Sequence, residues 1–422
     1  MTRGLVVADD LTGACDTGHA FAASGNRTHV LVTADRPGPD AEVVVINTNG
    51  RSMDPKAAAS AVRRSIGAIP AERRYLKIDS TLRGNVAVSV AAAVDAFTTD
   101  EEPIALVAPA APAVGRSTCC GWHLVDGALV TDTPVCGGAE RPPSTAYLPD
   151  LLATAGLPVD RLPIEHVARG AAEIARRLRD RTGLSVIVPD VTHDRHLRAL
   201  AGAIEAVDRP VLPVGSVGLA THVAARPPFD RGDPGNRRSP PGSGALGIVG
   251  STNPISRASL DALPNRQVIP LSLEPAIRGD EDAASRTIHR AVDALGRHGR
   301  AVVTSVHGPD PTGSVAAAAD RHAIDRDRAI GRIGTTLAAV AAGVVDRRSL
   351  AGLVLTGGDT AESVLDRLAA RSIALSGHAV ESGVPIGRVD GGDADGVHVV
   401  TKAGGFGDER TIVRCLDALE PA

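Results

Sequence analysis

The stretch LVVADDLTGACDTG, residues 5–18, decides the fold. An apolar run from Leu5 to Ala8 stops at two adjacent aspartates, Asp9 and Asp10, and small residues follow. A strand that ends in a polar turn presents its last side chains at the carboxyl edge of a sheet, where open α/β folds bind ligands. The aspartate pair is therefore a candidate for chemistry as well as for capping a helix.

The same alternation recurs along the chain. Short apolar runs predict strands at 5–8, 43–47, 75–78, 104–109, 185–190, 245–250, 301–306, 353–356 and 397–402. Many are apolar throughout, as in strands covered on both faces. Between them, 86–97, 171–182, 285–299 and 362–370 carry the spacing of amphipathic helices. The expected class is α/β, with largely parallel sheets flanked by helices.

A chain of 422 residues exceeds what one compact core usually serves, so two domains are expected. One composition break divides it: in RPPFDRGDPGNRRSPPGSG, 226–244, proline, glycine and arginine replace all periodicity. Such a segment behaves as a linker. The reading is a substrate domain over 1–228, a linker over 229–244 and a nucleotide domain over 245–422, the functional labels resting on the motifs below.

Composition excludes several classes. A net charge of −4 offers no basic field for nucleic acid or an anionic membrane, and 2% aromatics leave few bases a stacking platform. No apolar run approaches the roughly 20 residues of a membrane span, and MTRGLVVADD turns acidic before the apolar core of a signal peptide is complete. A cytoplasmic enzyme is expected. Five scattered cysteines read as reduced thiols, and 13 histidines include no HExxH pair, so no metal site is assigned.

Three segments of the amino half follow a strand with polar residues. They are ADDLTGACDTG (8–18), KIDSTLRGN (77–85) and APAAPAVGRST (108–118). Lys77, Arg83 and Arg116 can grip a carboxylate, and Asp9, Asp10, Asp79 and Ser80 can accept from or donate to sugar hydroxyls. The blander alternative is that the aspartates cap helices and the arginines are solvated. Three such segments in one domain favour a pocket for a small polyhydroxylated anion.

The carboxyl half has turns rich in glycine and hydroxyls. In LVLTGGDTAESVL (353–365), Gly357 and Gly358 follow a strand, and Asp359 and Thr360 stand where they would cap a helix. Glycine lets backbone approach a ligand, and free amides at a helix start favour phosphate. IVGSTNPIS (248–256) places Ser251 after a strand and Pro254 in a first helical turn. TKAGGFGDE (401–409) sets Lys402 beside Gly404 and Gly405. Together they suggest a cradle for nucleotide phosphates. GSGALG (242–247) matches a dinucleotide fingerprint only formally, since it precedes its strand, and no glycine stands before any of the three lysines, which rules out a P-loop.

These segments, in this order, resemble the four-carbon acid sugar kinases, the two-domain enzymes that include threonate, erythronate and 3-oxo-tetronate kinases. The matching text is ADDLTGACDTG, KIDSTLRGN, APAAPAVGRS with GWHLVDG (121–127), GS (250–251), TGGDT (356–360) and TKAGGFG (401–407), nearly the whole chain. The resemblance implies that the amino domain binds the sugar acid through Asp9, Asp10, Asp79, Ser80, Arg83 and Arg116. It implies that the carboxyl domain binds ATP through Ser251, Gly357, Gly358, Asp359, Thr360 and Gly404 or Gly405. Departures fall at Ser382, where the family commonly has proline, and at Ala111, where a bulky residue is common. Both bear on substrate choice.

Phosphoryl transfer needs an acceptor hydroxyl in line with the γ-phosphate, cations on the equatorial oxygens and a carboxylate to orient the hydroxyl. The expected assignment gives the substrate carboxylate to Arg83, Arg116 or Lys77 and the terminal hydroxyl to Asp10 or Asp79. ATP is expected as its Mg2+ complex, with Lys402 near the phosphates. The expected partner is a small sugar acid, with neither nucleic acid nor membrane, and the oligomeric state stays open, a homo-oligomer included. The alternatives are a kinase for another small hydroxy acid and a non-catalytic sensor of sugar acid and nucleotide.

Overall fold

The computed structural model describes residues 2–32, 41–97, 102–136, 141–229, 242–308 and 310–420. The chain divides into two compact units, Met1–Val30 with Pro39–Pro234, and Leu31–Gly38 with Gly235–Ala422. Most of the stretch read as a linker, 229–244, lies outside the described residues. Each unit is an α/β layer structure of the expected class.

In the first unit the sheet order is Thr28–Leu31, Val43–Asn47, Thr2–Ala8, Ala71–Lys77, Val211–Gly215, Ile104–Ala108, Ser185–Pro189 and Val159–Leu162. From Val43–Asn47 onward every pair is parallel. Apolar strands suit this place because helices cover the sheet; all five residues of Ile104–Ala108 are buried. Each fully buried Leu, Ile or Val side chain contributes about 1.5–3 kcal/mol of transfer free energy.

The register sets up the site. Ala8 lies beside both Asn47 and Lys77, Lys77 beside Gly215, and Gly215 beside Ala108. Five strands thus end level, and the polar turns that follow them share one edge.

The polar segment that follows Ile104–Ala108 leads into more order than its sequence suggests. Arg116–Cys119, Trp122–Val125 and Ala128–Leu129 form a small antiparallel sheet, tied to the rest by a bridge from Thr118 to Val191.

In the second unit the order is Val268–Pro270, Arg300–Thr304, Ala245–Val249, Gly352–Thr356, His398–Lys402, Val384–Asp390 and Ser372–Glu381. The first five are parallel and the last two add antiparallel. That closing hairpin lies where no strand was expected. Its alternation is weak because much of Ser372–Glu381 is only partly buried.

Helix Arg326–Arg347 also corrects the expectation that no apolar span exists. It is 22 residues long, and its most apolar 18-residue window has a mean hydropathy of 1.3, enough by length and composition to cross a membrane. Yet it packs on helices Glu281–His298 and Gly358–Arg367, burying Ile333, Leu337, Val340 and Val344. Those contacts are what a core helix makes.

Candidate functional site

Helix Leu11–Ala23 starts directly after the first strand, with Asp10 in the N-cap position. Its carboxylate does not cap the helix; it turns instead to Arg51 and to the hydroxyl of Thr12, which donates to Oδ2 at 2.6 Å. Arg51 stands in the turn after Val43–Asn47. Its Nε donates to Asp9 Oδ2 at 2.9 Å, and its Nη2 donates to Asp9 Oδ1 at 3.0 Å and to Asp10 Oδ1 at 2.6 Å.

The segment KIDSTLRGN brings the other charges. Asp79 accepts from the Arg83 guanidinium twice, Nε to Oδ2 at 2.7 Å and Nη2 to Oδ1 at 2.9 Å, from the Arg83 backbone N–H at 3.2 Å, and also from the hydroxyl of Thr81. Arg51 Nη2 lies 3.6 Å from the same carboxylate. Lys77, 5% exposed, holds its Nζ 3.6 Å from Asp9 and 3.9 Å from Asp10. Three carboxylates and three cations therefore meet at the ends of adjacent strands.

Electrostatics keeps this set charged. Burial opposes ionisation of Asp10, but Arg51, Lys77 and the Thr12 hydroxyl together hold its carboxyl below the usual range. Asp79 is likewise desolvated, and Arg51 and Arg83 hold it well below that range. Burial works against the charge on Arg51 too, and Asp10, Asp9 and Asp79 more than restore it. Among the described residues the Nη1 groups of Arg51 and Arg83 take no partner. Each can donate to an incoming anion.

Ser80 and Arg116 stand differently. The Ser80 carbonyl oxygen lies 2.8 Å from Nε2 of His123, whose Nδ1 lies 3.0 Å from the hydroxyl of Thr118. His123 is fully buried, and burial pushes it down to about 4, so it is neutral and braces the KIDST turn against the small antiparallel sheet. Arg116 directs Nη1 to the carbonyl of Val114, and its buried Nε has no partner among the described residues. Within the described ion pairs it joins none of the three carboxylates.

The second unit collects the glycine-rich turns. Ala245–Val249, Gly352–Thr356 and His398–Lys402 are neighbouring parallel strands whose last residues lie in register, Val249 with Thr356 and Thr356 with Lys402. Ser251, Gly357 and Gly404 follow those ends. Gly357 has φ of +99°, which an L side chain rarely adopts, and its amide donates to the carbonyl of Lys402 at 3.1 Å. Helix Gly358–Arg367 starts there with Gly357, not Asp359 or Thr360, as its N-cap, so those two fall in the first turn and the helix start carries no side-chain cap. A Cβ on Gly404 would sit 2.2 Å from Ser251 Oγ, so only glycine brings the backbone this close.

Lys402 does not present its charge outward as the sequence suggested. It is 0% exposed, and its Nζ donates to Ser256 Oγ at 3.2 Å and to the carbonyls of Ala403 and Gly404 at 3.1 Å each. Burial pushes the ammonium down to about 8. Its three protons fix the loop that carries Gly404 and Gly405.

Of the expected acid-side residues the structure brings together Asp9, Asp10, Lys77, Asp79 and Arg83, while Ser80 gives its backbone carbonyl to His123 and Arg116 pairs with none of the three carboxylates among the described residues. Arg51 was missed. The signal for it was a polar turn, TNGRS at 48–52, after a predicted strand, the same grammar that singled out the other segments. Among the described residues no group of three or more acidic, histidine or cysteine side chains could hold a metal ion.

Comparison with known proteins extends this picture. Residues 4–223 match a family model described as a sugar-binding N-terminal domain, and residues 246–412 one described as a nucleotide-binding C-terminal domain. A D-threonate kinase of Salmonella typhimurium is 30% identical over 429 residues, covering 99% of this chain and 98% of the relative. A 3-oxo-tetronate kinase of Methylobacterium radiotolerans is 30% identical over 431 residues, covering 98% of each. The crystal structure of a Haemophilus influenzae protein shares the fold with a TM-score of 0.75 at 22% identity, covering 98% of this chain and all of that one.

Proposed function

The chain belongs to the four-carbon acid sugar kinases, and we propose that it transfers the γ-phosphoryl group of ATP to the terminal hydroxyl of threonate, erythronate or 3-oxo-tetronate, giving the 4-phosphate. One observation carries the choice of an acid substrate. The balanced cluster of Asp9, Asp10 and Asp79 with Arg51, Lys77 and Arg83 falls inside the residues matched as sugar-binding, and it leaves guanidinium donors open to a carboxylate.

In this reading residues 1–228 bind the acid and residues 245–422 the nucleotide. The free Nη1 groups of Arg51 and Arg83 hold the substrate carboxylate, with Lys77 as a third positive charge. Asp10 and Asp79 are the catalytic carboxylates. Both are held ionised, so their part is to accept from and aim the terminal hydroxyl, which suffices for a loose phosphoryl-transfer transition state. Asp9 and Ser80 complete the hydroxyl contacts, and Arg116 lies close enough in sequence to the brace around His123 to shape that wall.

The nucleotide side consists of Ser251, the amides of Gly357, Gly358, Asp359 and Thr360 at an uncapped helix start, and Gly404 and Gly405. The fit to phosphate rests on the glycine approaches and open amides just described. Lys402 acts through the loop it ties. ATP would be bound as its magnesium complex, in which the metal would supply neutralisation of phosphate charge. A cytoplasmic setting suits such metabolism.

The test is ADP release with Mg2+ and ATP across the three acids, with phosphorus NMR of the product. Turnover of one acid to a terminal phosphomonoester is expected. ATP binding without turnover of any of the three would move the function to another hydroxy acid.

A further inference from the structure

Asp16 lies outside every assignment above. In the first two turns and more of helix Leu11–Ala23, residues 11–20, the half-buried positions are Gly13, Asp16 and His19, and the others are buried. Residues three apart share a helix face, so these three mark one partly open edge. At its head Gly13 leaves a notch: a Cβ there would sit 2.3 Å from Asp10 Oδ1 and 2.5 Å from Lys77 Nζ. Helical side chains lean toward the amino terminus, so the carboxyl of Asp16 leans toward that notch.

The surrounding charges are few. Among the described residues, Lys77 at the end of its strand and Asp10 at the head of the helix are the charged groups that act on Asp16. The helix also packs on Thr2–Ala8, Val43–Asn47, Ala71–Lys77 and Val217–Ala224. Of their other titratable groups, Arg3 pairs with Glu42 and His222 with Asp194, the Tyr75 hydroxyl donates to the carbonyl of Ser216, and Glu72 and Arg73 are exposed, while Arg74 donates to Ile66 and Ala71 carbonyls. Asp16 itself makes no ion pair or hydrogen bond among the described residues.

The known cluster balances: three carboxylates against three cations. Asp16 is the carboxyl left over, and the substrate brings one more negative charge to the same neighbourhood. We propose that Asp16 is a positioning residue for acid binding, taking up one proton from solvent as the sugar acid binds so that Lys77 directs its charge at the substrate carboxylate. This rests on the acid-binding reading above. Burial first, and then Asp10, push the Asp16 carboxyl up to about 6 despite the opposing pull of Lys77, so the proton is available near neutral pH. A nearby bound anion favours the protonated form further, and by reciprocity the protonated enzyme binds the anion more tightly.

The experiment is calorimetry of threonate, erythronate and 3-oxo-tetronate binding to the full chain, from about pH 5.5 to about 7.5, in two buffers of different ionisation enthalpy. The expected result is net proton uptake and a Kd about three- to tenfold lower at the acid end, both lost in Asp16→Asn. A purely structural role would shift Kd at every pH and leave the uptake in place. Carbon-13 NMR of aspartate carboxyls in the unsubstituted protein reads the same event without a variant: a midpoint near 6 that rises on binding supports the proposal. Acid binding that is flat with pH, uptake that persists in Asp16→Asn, or no aspartate titrating above about pH 5 would overturn it alone. Failure of all three acids to bind at any pH would overturn the functional reading and this inference with it.

Discussion

Arg83 closes a two-pronged ion pair on Asp79, Nε to Oδ2 at 2.7 Å and Nη2 to Oδ1 at 2.9 Å, within a single turn of chain. The geometry holds a desolvated carboxylate charged, and it fixes the guanidinium face that remains for a ligand. Removing one partner of such a pair leaves a buried charge poorly compensated. Arg83→Leu is expected to cost about 1–3 kcal/mol of stability at neutral pH, with Arg51 at 3.6 Å limiting the loss. The folded-state carboxyl of Asp79 is depressed, so its stabilisation is present above the ordinary carboxylate range and is lost as pH falls through the folded value. In the variant that loss begins at higher pH. Denaturant titrations between about pH 3 and 7 check it, and a variant curve parallel to that of the unsubstituted protein would refute the coupling.

Gly404 tests the nucleotide side separately. A methyl group at this position would meet Ser251 Oγ at 2.2 Å and the Asn253 Cβ at 3.0 Å. Ser251 must then rotate or the loop must move, and either change displaces groups assigned to phosphate. Gly404→Ala is expected to weaken ATP binding about tenfold or more, with acid binding to the first unit unchanged. Equilibrium binding of each ligand separates the two, and equal losses for both would show that the variant acts on the whole fold.

How much of this was legible follows from the range of the interactions. Asp9, Asp10 and Asp79 could be found because each ends an apolar run, and a strand followed by a polar turn is a local pattern. Arg51 obeyed the same pattern but its partner lies 42 residues away, and only the register that sets Ala8 beside Asn47 brings them together. Lys402 shows the opposite failure. Lysine beside glycines looks like a phosphate ligand, yet Ser256, 146 residues earlier, and two carbonyls of its own loop draw the ammonium inside. The hairpin Ser372–Asp390 escaped notice because its partly exposed strands lack clean alternation.

The buried ammonium of Lys402 carries its own prediction. Lys402→Met would leave the carbonyls of Ala403 and Gly404 without their donor, at a cost of about 1–3 kcal/mol, and would loosen the loop that presents Gly404. ATP affinity is expected to fall while acid affinity holds. Burial holds the folded ammonium at about 8, below its ordinary value of 10.5, so in the unsubstituted protein this group makes stability rise as pH climbs between those values. The variant should lack that rise. Melting curves from about pH 7 to 10 decide it, and an unchanged rise would assign it to another group.

His123 gives the complementary acid-side prediction. Its ring is fully buried between Thr118 and Ser80, and burial lowers it from 6.5 to about 4. The unfolded chain takes up a proton near 6.5 while the folded ring stays neutral, so stability falls as pH drops from there toward 4, by roughly 3 kcal/mol at most. His123→Gln removes that slope. It should be less stable than the unsubstituted protein at about pH 7.5, by about 1–3 kcal/mol for the disturbed bonds to Ser80 and Thr118, and the deficit should shrink toward pH 4. Asp16 works in the other direction, since its raised carboxyl destabilises the fold when ionised and that penalty fades as pH falls through about 6. Only the difference between the protein and its His123 variant isolates the histidine. Two stability curves that stay parallel from about pH 7.5 to 4 would mean that the ring takes its proton in the folded state, and that the brace between the KIDST turn and the small sheet does not depend on a neutral imidazole.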